Sequence, residues 1–76
     1  MRTVEEVVSW AFGVERGSVD ESSCPETVDG WDSMGHLNLV AALEENFNVS
    51  LDIGDVMEMV NVRKIRQVLL EYGVRG

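Results

Sequence analysis

Gly30-Trp31-Asp32-Ser33-Met34 is the stretch on which the reading of this chain turns. Before it runs a segment rich in loop formers: Ser18, Asp20, Ser22, Ser23, Pro25 and Asp29. After it, apolar residues recur at helical spacing. Met34, Leu37, Val40 and Ala41 lead, and Leu39, Leu43 and Phe47 form an i, i+4, i+8 line. The stretch is therefore a loop running into the start of a helix. Asp32 and Ser33 both suit that position, because their short polar side chains satisfy the free amides of a first turn. A serine at such a rim faces solvent. Its hydroxyl lies at the positive end of the helix dipole, where phosphate oxygens are favoured. Ser33 reads as a point of attachment, presented by a small helical body.

The second helix is expected over Ser33 to Phe47, with Ala42 as a further helix former and Asn48 as its stop. Gly35 in its first turn costs up to about 1 kcal/mol relative to alanine in a helix interior. Its use would be to admit another backbone close to Ser33. Upstream, Thr3-Val4-Glu5-Glu6 has the form of a capping box, and Val4, Val7, Val8, Ala11 and Phe12 make one apolar stripe. Gly13 and Gly17 end that first helix. Trp10 falls off the stripe and is expected against the following loop. Residues 16–32 show no sustained period. An irregular segment of that length is uncommon unless it carries function or packs on itself, and Val19, Val28 and Trp31 are its expected anchors.

Downstream, Val49, Leu51 and Ile53 alternate with Ser50 and Asp52, but no other segment offers itself as a strand partner. An extended loop tucking apolar residues into the body is expected. Asp55 is expected to cap a short helix from Val56 to about Val60, and Asn61 a last helix with the stripe Val62, Ile65, Val68, Leu69 and Tyr72, ended by Gly73. The fold class is all-α: a four-helix bundle of three main helices and one short one, with a long first loop, as one domain over residues 1–76. The short later connections predict neighbours packed antiparallel or at modest angles, whereas the long first connection does not force the first two helices together.

The 76 residues carry a net charge of −8, which argues against nucleic acid and anionic membrane as partners and favours a basic protein surface, or plain solubility. The acids are concentrated. Residues 1–62 hold thirteen of them against Arg2 and Arg16, while Arg63, Lys64, Arg66 and Arg75 follow with Glu71 alone. A single cysteine, Cys24, allows no internal disulfide and fits a reducing cytoplasm. No run approaches the ~20 apolar residues of a membrane span, and Glu5 and Glu6 are unlike a signal peptide.

Catalysis finds little support. Asp32, Ser33 and His36 invite a triad, but a triad needs the histidine between serine and acid, with an oxyanion hole beside them. Trp31 also stands where G-x-S-x-G requires glycine. His36 reads as a surface residue of the second helix. No acid cluster follows the calcium-loop pattern, and no Cys/His set suits zinc, so no metal site is expected.

With Gly30 before it and the pattern Leu37-x-Leu39-Val40-x-Ala42-Leu43-Glu44-x-x-Phe47 after it, Asp32-Ser33-Met34 resembles the acyl carrier protein family and its relatives, the peptidyl carrier domains. That family's motif is Asp-Ser-Leu at the start of its second helix, and the likeness runs from about Gly30 to Tyr72. The resemblance implies a four-helix bundle of acyl-carrier type. It implies that Ser33 carries a 4′-phosphopantetheine arm, placed by a phosphopantetheinyl transferase using coenzyme A, with Asp32 as the adjacent motif acid. The arm holds acyl, aminoacyl or hydroxyacyl groups as thioesters between a loading enzyme and a downstream synthase. The chain would then be a monomeric carrier and not an enzyme. Met34, His36, Asn38, Ala41, Glu44, Glu45, Asp55 and Glu58 are its expected partner-docking residues, and Met57 and Met59, with Met34 and Ala41, would line any space for the cargo. Met34 in place of leucine, Gly35-His36-Leu37-Asn38 in place of a more acidic run, Trp31 and a basic last helix depart from fatty-acid carriers and point to a specialised pathway. A different class of reading is a non-covalent acidic interaction module, in which Asp32-Ser33 is only a cap.

Overall fold

Capping residues fix where the helices of this chain begin. The structure, a computed structural model, describes residues 2–75. Among them are α1 (Val4–Phe12), α2 (Ser33–Phe47), α3 (Ile53–Glu58) and α4 (Val62–Glu71), with one 3-10 turn at Arg16–Ser18 and no strand. Thr3 and Glu6 form the expected capping box of α1. Asp32 caps α2 by accepting from the Gly35 amide at 2.8 Å, and Asn61 caps α4 through the Lys64 amide at 2.8 Å. Gly13, Asn48 and Gly73 turn the chain left-handed just past α1, α2 and α4, the conformation that closes a helix C-terminus.

The short helix departs from expectation. Asp52, not Asp55, is its cap, and Asp55 completes a second capping box from the third helical position. The pair Asp52-x-x-Asp55 satisfies two free amides reciprocally, which a start at Val56 would not. Ile53 is thereby the first residue of a helix rather than part of a tucked-in loop, and it is 80% exposed. Val49 and Leu51 do pack on the core as expected.

Val4, Val7 and Val8 of α1 meet Leu39, Val40, Leu43 and Phe47 of α2, and Val62, Ile65, Val68 and Leu69 of α4. The most extensive helix pairing is α1 with α2, across the longest connection, while α4 touches α1 and α3. Connection length did not choose the neighbours here; the continuous apolar stripe of α1 did. Trp10, off that stripe, is 67% exposed and does not pack on the loop. Tyr72 does not extend the buried stripe of α4. It lies exposed at the helix end, with its hydroxyl donating to the Asp55 carboxylate of α3.

The segment between α1 and α2 is held by its polar groups as well as its apolar anchors. Val19, Val28 and Trp31 are buried as expected. The Ser23 and Glu21 carbonyls accept from the first two amides of α4, Val62 and Arg63, each at 3.0 Å. A helix start leaves such amides without intrahelical partners, so the loop and α4 each satisfy what the other would leave open. Arg66 of α4 donates to Glu5 of α1 and lies 3.6 Å from Glu21 of the loop, binding three segments with one guanidinium.

Gly35 has the role its position suggested. A Cβ there would lie 1.9 Å from the Gly30 carbonyl oxygen, so the loop backbone rests directly on the first turn of α2. Gly30 itself has φ +90°, a turn that only glycine makes without strain. Gly35→Ala is therefore expected to destabilise the fold by about 1–3 kcal/mol, the usual cost of overpacking. Gly17→Ala, where the added Cβ meets nothing within 4 Å, serves as the control. Urea melts of the two variants check this, and equal midpoints would refute the close approach.

The Tyr72 hydroxyl holds the Asp55 carboxyl below its ordinary range, and the same hydrogen bond pushes the Tyr72 phenol up to about 12. The signs give two windows. The Asp55 contribution to stability is present above its unfolded value near 3.9 and lost as pH falls through its lower folded value. The Tyr72 contribution is present below about 10 and lost as pH rises towards 12. Absorbance titration of the single tyrosine is expected to show a midpoint near 12. In Tyr72→Phe the Asp55 carboxyl resonance should titrate at higher pH.

Candidate functional site

Ser33 is the first residue of α2 and is exposed. Its position follows from the residues around it. Gly30 reverses the chain, Trp31 anchors it, and Asp32 turns its carboxylate onto the Gly35 amide, leaving Ser33 at the lip of the helix. Trp31 is only 3% exposed. Its ring stacks on Phe12 of α1, centroids 5.4 Å apart and planes 26° from parallel.

Ser33 and Asp32 border an open groove of about 790 Å³ between α2, α3 and the loop. Leu37 of α2 and Val56, Met57 and Val60 from α3 and just beyond it supply much of its apolar wall, and Trp31 and Met59 also line it. Met59 is fully buried, as an ordinary core residue. Met57 is 74% exposed and Met34 72% exposed, so the three methionines do not share one environment. Leu37, counted in the apolar run of α2, faces the groove and solvent rather than the core. The separation arises because α2 carries apolar residues on more than one face, and α3 covers only part of them.

His36 is not the free surface residue expected of it. It is half-buried and lines the groove. The Trp31 indole N–H donates to His36 Nδ1 at 2.9 Å, and His36 Nε2 lies 2.8 Å from the Val56 carbonyl oxygen of α3. An indole nitrogen is only ever a donor, so Nδ1 is the acceptor and the neutral ring carries its proton on Nε2, which donates to Val56. The two rings lie 15° from parallel with centroids 6.2 Å apart, which suits an edge-to-edge hydrogen bond better than a face-on stack. The sequence held a signal for this contact in the Trp31-to-His36 spacing across a helix start, but its second partner lies twenty residues further on.

The other expected docking residues divide into two sets. Met34, Asn38, Ala41 and Glu45 fall at i, i+4, i+7 and i+11 and are all exposed, forming one outward stripe of α2. Glu58 is exposed at the end of α3. Glu44 and Asp55 are half-buried and locally engaged: Glu44 accepts from the Leu51 amide at 2.8 Å, and Asp55 accepts from Tyr72 and the Asp52 amide. Among the described residues, no group of three or more His, Cys, Asp or Glu side chains is placed to hold a metal ion. No helix there is long and apolar enough to cross a membrane. No protein-family model matches this chain, and no curated protein matches it either.

Proposed function

We infer that this chain is a carrier of the acyl or peptidyl type, which holds its cargo as a thioester on a 4′-phosphopantetheine arm attached to Ser33. The observation that carries the reading is the placement of Ser33: exposed, first in a fifteen-residue helix, and at the edge of an apolar-walled groove. An attached phosphate lies there beside the free amides of the first turn and the positive end of the dipole. The four helices, with a long first connection and a short third helix, support the acyl-carrier arrangement that the sequence resembles. When bound, the arm supplies a mobile thiol.

Ser33 has no base of its own. His36 is near in sequence, but in its neutral form Nδ1 accepts from Trp31 and Nε2 donates to Val56, so neither nitrogen is free to take the serine proton. A hydroxyl without an adjacent base is a weak nucleophile. A transferase must therefore supply base and Mg²⁺ as Ser33 Oγ bonds to phosphorus and the bond from that phosphorus to the nucleotide half of coenzyme A breaks. The chain is a substrate in that step and not a catalyst. Cytoplasmic residence, where Cys24 stays reduced, suits such a role.

The outward stripe of Met34, Asn38, Ala41 and Glu45, with Glu58, is the surface offered to successive enzymes. Its acids suit basic partners and speed encounter more than they tighten binding, as a shuttle requires. Incubation with a phosphopantetheinyl transferase and coenzyme A is expected to add one phosphopantetheine mass to the intact protein. Ser33→Ala should abolish the addition with its helical circular dichroism unchanged. Addition to the variant, or none to the parent chain with any competent transferase, overturns the reading and leaves the acidic interaction module.

A further inference from the structure

The geometry points to His36 as a proton-sensitive clasp that sets the width of the groove between α2 and α3. The inference stands on the packing around the imidazole and not on the carrier reading. Among the described residues, the hydrogen bond from His36 Nε2 to the Val56 carbonyl is the only one that joins α2 to α3. The opposite edge of the same ring accepts from Trp31. The imidazole is thus a spacer, with the loop anchor on one side and the third helix on the other.

Only the neutral ring can fill both contacts. Protonation leaves Nε2 a donor, so the bond to Val56 survives. It also puts a proton on Nδ1, facing the indole N–H across 2.9 Å, and two donors cannot share that space. The Trp31 contact must break, and one of its two sides must move. Trp31 is the harder to move, since it is buried, stacked on Phe12, and bonded through its own amide to the Val28 carbonyl at 3.3 Å. The third helix is the easier. It has six residues, none fully buried, held by the packing of Val56 on the core and by the Asp55–Tyr72 bond to α4, and segments with few buried contacts open at the lowest cost. The imidazolium therefore swings away from the indole with Val56 attached, and the groove widens on the side of α3.

The charged groups around the groove lie on the side of the loop. From the loop, Glu26 and Asp32 line the groove, and α2 contributes no further acid or base to it. From α3 and the residues after it, Val56, Met57, Met59 and Val60 line it without charge, and the Phe12 ring of α1 behind Trp31 is likewise uncharged. The groove that holds the imidazole is thus lined by two carboxylates and no cation.

The chain contains one histidine and two tryptophans, so nuclear magnetic resonance of the labelled full chain reads the clasp directly. Between about pH 8 and 5, the His36 ring, the Trp31 indole N–H and the Val56 and Met57 amides are expected to follow one midpoint. The exposed Trp10 indole should stay in place. At the upper end, the Nε2 of His36 should carry the proton. In Trp31→Phe the donor that faces Nδ1 is gone, and the Val56 and Met57 amides should move less between the two ends of the same pH range. A protonated Nδ1 at high pH, an imidazole that titrates while Trp31 and α3 stay still, or one that stays neutral throughout would each overturn the clasp. The titration of the parent chain decides the matter even if the variant does not fold.

Discussion

The burial of one indole ring holds the irregular quarter of this protein in place. Trp31 closes a segment that contains no α-helix, and the site begins at the next residue. Removing a tryptophan's 150–250 Å² from water stabilises by about 4–6 kcal/mol as an upper figure. A small domain has only about 5–15 kcal/mol in total. The ring also fixes direction. It stacks on α1, donates to α2, and is followed immediately by the cap of α2. A residue that was merely apolar there would bury area without orienting the turn that leads to Ser33.

That turn is confirmed by contacts that leave little slack. The Gly30 carbonyl lies where a side chain on residue 35 would be, so loop and helix meet backbone to backbone. At its other end the loop gives two carbonyls to the first amides of α4. Glu21 adds an ionic tie to Arg66, whose second partner, Glu5, lies on α1. The Glu5 carboxyl illustrates the balance. Its burial pushes it up, and the hydrogen bonds from Arg66 and its own amide, with the charges of Arg66 and Arg16, bring it below its ordinary value. No buried side-chain polar atom is left without a partner among the described residues. A long connection normally sacrifices order for reach; this one is ordered because it supplies partners the helices cannot supply for themselves.

What the sequence disclosed and what it withheld divide along the range of the interactions. The Thr3–Glu6 capping box, the α1 stripe, the α4 stripe as far as Leu69, the Asp32 cap and the role of Gly35 depend on residues within five positions of one another, and they are legible. The start of α3 was misread because Asp52 and Asp55 are both good caps, and the choice rests on their pairing with each other. Trp10 and Ile53 were misplaced because an apolar side chain implies burial only where a neighbour covers it, and no local pattern states which faces are covered. His36 was misread for a sharper reason. Its environment is made by Trp31 and Val56, which lie five and twenty residues away on different elements. Ser33 stood apart from this problem, since exposure at a helix start needs no distant partner.

The same distinction applies to the charge. A net −8 suggests a uniformly acidic docking face, but the acids are not equivalent. Asp32, Glu44, Asp52 and Asp55 each accept from a backbone amide that would otherwise be open, and Glu5 is paired with Arg66. These carboxylates hold the fold, and a partner competing for them would have to replace the bonds it disturbed. Glu45, on the outward stripe of α2, and Glu58, at the end of α3, are exposed and carry no such duty among the described residues. A cation approaching this surface would engage Glu45 or Glu58 without displacing a bond that holds the fold. Asp32, the acid beside the serine, is committed instead to the first turn of α2, and it holds that turn while Ser33 stays exposed.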